Sequence, residues 1–129
     1  MIDGDSVDER ASGPVGALPR AWVQVRVTGP SMSPTVRPGD RLLVRRVPPG
    51  TAAPGEVVVA RFPRRPELLV VKRVRHAVPD GHWVEGDNPF GSDDSRAFGP
   101  AVVVGRVVLR LWPRPGRLPA PPPPDLLAE

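Results

Sequence analysis

Apolar and polar residues alternate with a period of two along most of the middle of this chain, and nowhere with the sustained 3.6-residue period of a long helix. Trp22-Val-Gln-Val-Arg-Val-Thr28 sets Val23, Val25 and Val27 against Gln24 and Arg26, the pattern of a strand with one buried face. Residues 41–47, 56–62, 68–75, 82–85 and 102–111 alternate in the same way or form short valine-rich runs, and are predicted as strands. Between them, Pro38-Gly39 and Pro54-Gly55 suit the central positions of type II turns, and Asp80-Gly81 between two strand patterns signals a hairpin. The expectation is an all-β fold, a small barrel-like or coiled set of antiparallel sheets over residues 21–112. An acidic leader at 1–20 and a Pro-rich tail at 113–129 flank it, both expected to be disordered.

One predicted strand differs from the others. In Leu68-Leu-Val-Val-Lys-Arg-Val-Arg75, one face presents Leu68, Val70, Lys72 and Val74, and the other presents Leu69, Val71, Arg73 and Arg75. Lys72 is the only lysine in the chain, against seventeen arginines. A guanidinium keeps its proton under all ordinary conditions, whereas an amine can give its proton up. An amine on an apolar face that becomes buried is disfavoured as a cation, because desolvation works against charge. Lys72 is therefore a candidate base. The opposite orientation would bury Arg73 and Arg75, two permanent charges, in place of one adjustable amine, so those arginines are expected to face outward.

Composition narrows the function classes. At 129 residues with 40% hydrophobic content the chain makes one domain with a real core. The net charge is +4, and residues 21–112 hold fourteen bases and eight acids, a balance of +6. That permits weak attraction to phosphates or anionic lipid without implying a nucleic-acid binder. Three Trp and three Phe offer few platforms for base stacking, which weighs against the alternative of a non-catalytic basic β-barrel that binds RNA or DNA. With no cysteine, disulfides and thiolate chemistry are excluded. No apolar run approaches the roughly 18 residues of a membrane-spanning helix, and the N-terminus lacks the apolar stretch of a secretory signal. A cytoplasmic monomer with no integral membrane anchor is expected. Its alternative is a peripheral membrane protein held by an apolar surface loop such as Phe62-Pro63 or Pro89-Phe90.

A base calls for a nucleophile. Ser31 lies just past the first predicted strand, in Gly29-Pro-Ser-Met-Ser-Pro-Thr35, where backbone N–H groups are free to bind an oxyanion. Pro30 and Pro34 bracket it and stiffen the loop. A third segment, Glu85-Gly-Asp-Asn88 followed by Gly91-Ser-Asp-Asp-Ser-Arg96, is dense in acceptors and small donors. There Asp94 and Arg96 can pair, and Ser92 can hydrogen-bond a neighbouring amine. Asp87, Asn88, Asp93 and Asp94 are oxygen ligands by type, but they do not meet calcium-loop spacing, so no metal and no cofactor are expected. His76 and His82 lack partners at ligand spacing and are read as surface residues.

These segments, in this order, resemble the type I signal peptidase family. Gly29-Pro-Ser31-Met32-Ser-Pro34-Thr35 is similar to its nucleophile motif and Lys72-Arg73-Val74 to its general-base motif. Gly86-Asp87-Asn88 with Ser92-Asp-Asp-Ser-Arg96 and Gly99 is similar to its last conserved box. The resemblance implies an all-β Ser/Lys-dyad endopeptidase in which Ser31 attacks and Lys72 serves as base. It implies that Ser92 orients the amine and that Asp94 and Arg96, with Asp87 and Asn88, support the site. It further implies an oxyanion contact from the Ser31 N–H, substrate contacts from Pro30 and Met32, and an extended protein or peptide substrate with small residues before the cut. Gly29 stands where many members carry a hydroxyl, so no second oxyanion donor is implied. The short, Arg- and Pro-rich chain most resembles the soluble members that mature nickel-type superoxide dismutase by removing a propeptide. Processing of signal peptides at the membrane is the alternative.

Overall fold

A computed structural model of the chain describes residues 7–8, 21–90 and 93–120. The alternating segments form β2 (Trp22–Val27), β3 (Arg41–Arg46), β4 (Val57–Phe62), β5 (Arg65–Val78), β6 (Gly81–Glu85) and β7 (Val102–Trp112). A two-residue strand, β1 (Val7–Asp8), pairs with β2, and a single helical turn, α1 (Ser95–Phe98), precedes β7. All pairings are antiparallel, in the order β1-β2-β3-β7-β4-β5-β6. The all-β expectation holds.

The turn chemistry explains the connections. Asp40 N–H donates to the Arg37 carbonyl, and Glu56 N–H to that of Ala53, closing tight turns around Pro38-Gly39 and Pro54-Gly55. Both glycines have φ near +90°, which a type II turn requires at its third position. In the β5–β6 hairpin Val78 pairs with Gly81, so the turn itself is Pro79-Asp80 and Gly81 already belongs to β6. A Cβ on Gly81 would stand 2.4 Å from the Ala101 carbonyl oxygen, an approach only glycine tolerates.

The core is two-sided. Val57 and Val59 of β4 join Val23, Val25, Val27, Leu42, Val44, Val71 and Val107 on one side of the sheet. Val58, Ala60 and Phe62 join Leu68, Val70, Val74, Val84, Ala101 and Val103 on the other. Strands β4 and β5 are therefore covered on both faces, and residues 70–74 of β5 are buried without interruption. This is how one strand can hold two basic side chains out of water, as described below.

Most of the expected leader, 1–20, lies outside the described residues; Val7 and Asp8, which are described, pair with β2. Three expectations need correction. The Pro-rich segment after Trp112 does not leave the sheet at once: Gly116 and Arg110 exchange backbone hydrogen bonds, and Leu118 packs on the first core. His82 is buried rather than on the surface, because its backbone pairs with both Ala77 and Ala101. Phe62 is fully buried, so of the two apolar loops only Pro89-Phe90 exposes its phenylalanine, with Phe90 92% accessible.

Candidate active site

The nucleophile loop is a chain reversal between β2 and β3. Ser33 N–H donates to the Pro30 carbonyl and Val36 N–H to that of Met32, which winds residues 30–36 into consecutive tight turns. Val36 and Met32 are buried in the first core and anchor the loop from below. Ser31 is presented from this loop toward β5, where Lys72 Nζ lies 2.9 Å from its Oγ. The two residues are 41 positions apart in sequence and meet only through the fold. Lys72 is 0% exposed and Ser31 7% exposed. The sequence expectation that Lys72 shares a face with Leu68, Val70 and Val74 is met, since all three line the second core.

Ser31 is held from the other side by the segment after β6. Its carbonyl accepts from Asn88 N–H at 2.8 Å, and the Pro30 carbonyl accepts from Asn88 Nδ2 at 3.0 Å. Gly86 packs directly beneath: a Cβ there would come within 2.5 Å of the Ser31 carbonyl oxygen. Asp94 in turn fixes Gly86, accepting its N–H at Oδ2. The same carboxylate accepts from the Arg96 backbone and side chain and caps α1. Burial alone would raise the Asp94 carboxyl, but the Arg96 guanidinium and the Gly86 and Arg96 N–H groups outweigh it and hold it below the usual carboxylate range. The expected Asp94–Arg96 pair is thus present, at 2.7 Å.

A third network forms around Asp87, one of the expected supporting residues, through partners that the sequence does not connect to it. Arg73 donates to both oxygens of Asp87, at 3.0 and 2.8 Å, and to the Gly55 carbonyl at 2.7 Å. Thr35 Oγ1 donates to Asp87 Oδ2 at 2.6 Å, and Asp87 N–H reaches Met32 Sδ at 3.4 Å. Arg73 was expected to face outward. It does occupy the opposite face from Lys72, but that face is also buried, and its charge is matched by a bidentate carboxylate. Arg75 is exposed, as expected. Ser95, also missed, is buried and accepts from Val84 N–H, tying α1 to β6.

Other expected site residues divide. Pro30 is exposed beside Ser31, whereas Met32, expected to touch substrate, is 1% exposed and packs in the core. Ser92 lies outside the described residues, so the expected contact with the Lys72 amine is not described. Among the described residues, no three His, Cys, Asp or Glu side chains gather in a way that could hold a metal ion. None of their helices is long and apolar enough to cross a membrane.

Comparison with known proteins gives this geometry a family. The model of the Peptidase S24-like family matches residues 8–108. Subunit 1 of the mitochondrial inner membrane protease of Xenopus tropicalis is 38% identical over 111 residues, covering 67% of this chain and 66% of its own length. The mitochondrial ATP-independent inner membrane protease subunit 1a of Arabidopsis thaliana is 36% identical over 115 residues, 67% of this chain and 68% of its own length. Subunit 2 of the Schizosaccharomyces pombe protease is 39% identical over 87 residues, 50% of this chain and 48% of its own. The chain thus spans about two-thirds of the length of the first two relatives. No solved structure matches it. The finer expectation, a soluble maturation protease for nickel-type superoxide dismutase in the cytoplasm, finds no support in these relatives, whose names place them at a membrane. The motif order, the buried Ser/Lys contact and the family match lead to one statement: this chain belongs to the Peptidase S24-like family of serine-type peptidases.

Proposed function

We propose that this chain is an endopeptidase that removes an N-terminal leader from a protein substrate at a membrane surface, using Ser31 as nucleophile and Lys72 as general base. The observation that carries the chemistry is the 2.9 Å approach of Lys72 Nζ to Ser31 Oγ, within reach of direct proton transfer. The amine takes the hydroxyl proton as Oγ bonds to the scissile carbonyl carbon. It returns that proton to the departing amine as the peptide C–N bond breaks, leaving an acyl-enzyme on Ser31. Lys72, neutral again, then deprotonates a water molecule that attacks the ester, and Ser31 recovers its proton. The Ser31 N–H is the oxyanion donor in this scheme. Asn88, Gly86 and Asp94 act through backbone position, keeping Oγ aimed at the amine.

The membrane setting rests on the relatives, which are named as inner membrane proteases. It agrees with a substrate bound as an extended segment, in which main-chain hydrogen bonds supply affinity and small pockets supply selectivity. The test is N-terminal sequencing of a leader-bearing precursor after incubation with the wild type and with Ser31→Ala. The expected result is one new N-terminus after a small residue with the wild type, and intact precursor with the variant. Equal cleavage by Ser31→Ala would overturn the assignment.

A further inference from the structure

Strands β2 and β3, with β7 from Arg106 onward, turn one face to the core and the other outward, and the outward face is a regular array. Cross-strand register places Arg26 beside Arg41 and Arg41 beside Trp112. Four residues further along β2 and β3, Trp22 lies beside Arg45 and Arg45 beside Arg106. Between these rungs runs Gln24–Leu43–Leu109. Paired residues share a face, and two rungs on the same face are about 7 Å apart, so the array is a patch of roughly 10 by 14 Å. Cations and indoles occupy its two ends, and its middle carries no charge.

The electrostatics are one-sided. Four arginines stand on this face, and no acid occurs in β2, β3 or β7. At the rim, Glu56 reaches Arg106 at 3.5 Å, and Asp8 is in register with Arg26. Each tryptophan carries one of the guanidinium groups: Arg45 lies 5.3 Å from the Trp22 ring centre and Arg41 5.7 Å from that of Trp112. Trp112 is 57% exposed, and Arg26 and Arg45 are exposed.

We propose that this face is the surface on which the enzyme lies against an anionic membrane. The proposal deepens the leader-processing reading and takes from it only the choice of partner. Arginine keeps its charge and forks to phosphate oxygens, and tryptophan favours the headgroup level, where its ring is half in apolar surroundings and half in water. Both residue types on one exposed face, with an uncharged leucine pair between them, match a layer of anionic headgroups over acyl chains. A nucleic acid fits less well, because base stacking needs several exposed rings in a row, and of the two indoles Trp22 is only partly exposed with Arg45 over its ring. The position also suits catalysis. β2 runs from the Trp22 rung to the Arg26 rung and leads directly into the Ser31 loop, and Arg110 of β7 donates to the Thr35 carbonyl of that loop at 3.1 Å. The Arg26–Arg41–Trp112 end therefore sets the nucleophile close to the bound surface.

Co-sedimentation of the full chain with phosphatidylcholine vesicles, with and without about one-third phosphatidylglycerol, tests this. The expected result is binding to the anionic vesicles alone, lost in about 0.5 M salt as charges are screened. Arg26→Glu with Arg45→Glu should weaken that binding by at least about a hundredfold, with Arg26→Gln and Arg45→Gln intermediate. Cleavage of a short soluble peptide should be unchanged in all of them. Equal binding to neutral vesicles, or undiminished binding by the Glu variant, would overturn the proposal. So would retention on a single-stranded oligonucleotide, abolished by the same substitutions, with no vesicle binding. A wild type that binds vesicles but cleaves no peptide would instead refute the leader-processing reading and leave the surface standing.

Discussion

Lys72 and Arg73 are neighbours on one strand, both buried, and their side chains lie on opposite faces of β5. On one face the amine meets a hydroxyl at 2.9 Å. On the other the guanidinium is locked by both oxygens of Asp87 and by a backbone carbonyl. The difference teaches what each basic side chain is for. Arg73 has a permanent charge matched by a bidentate carboxylate, and its network pins Thr35 of the nucleophile loop to the strand that carries Lys72. Lys72 faces the hydroxyl that the proposed reaction deprotonates, and an amine there can take up a proton where a guanidinium cannot. In the proposed mechanism, a chain with seventeen arginines keeps its single lysine where a guanidinium could not do the work.

The comparison breaks most sharply at Lys72. Lys72→Arg should abolish cleavage as completely as Ser31→Ala, roughly a 10⁴-fold loss or more in kcat, because arginine retains a positive charge but cannot act as a base. Active-site titration with an acylating inhibitor would check it. On the opposite face the expected damage is to folding. Asp87→Ala leaves Arg73 buried without its carboxylate and should cost about 3–5 kcal/mol, read by denaturant melts. Replacing both, as Arg73→Met with Asp87→Leu, should recover much of that stability, while activity stays low because Thr35 has lost its anchor.

Gly86→Ala should give a smaller effect and a different split. Its Cβ meets the Ser31 carbonyl at 2.5 Å, so the nucleophile must shift, and kcat should fall about a hundredfold with less loss of stability than at Asp87. The smallest effect concerns acid. Asp94 is held below the ordinary carboxylate range in the folded state, so its ion pair and caps stabilise the fold above the unfolded value of about 3.9. That contribution is lost as pH falls through the lower folded value. Asp94→Asn should therefore lower Tm at neutral pH and narrow the gap to wild type as the solution is acidified.

How much of this was readable in the chain follows from what alternation can and cannot say. Period two located six strands and put Lys72 on the face with Val70 and Val74, because a strand has only two faces. It could not say that both faces of β5 are covered, so Arg73 was assigned to solvent. Its partner Asp87 is 14 positions away, and the loop it pins, at Thr35, is 52 positions from that carboxylate. Pairings at such separations are set by sheet order. His82 failed for the same reason: Ala101 covers it from a segment that local pattern does not connect to it. Two residues of β1 and four of α1 are too short to carry any period. Ser31, by contrast, announced itself through the prolines that bracket it and through a motif shared with a family.

The absence of cysteine offers the most direct test of the central claim, that Lys72 works as a base and not as a charge. Lys72→Cys introduces a unique thiol, which can be alkylated in the unfolded protein and the product refolded. Aminoethylation rebuilds an amine close to the length of lysine, whereas a trimethylammonioethyl group places a permanent cation at the same point. The account predicts that the aminoethyl protein regains peptide cleavage and the trimethylammonioethyl protein does not. Equal activity of the two adducts would contradict it.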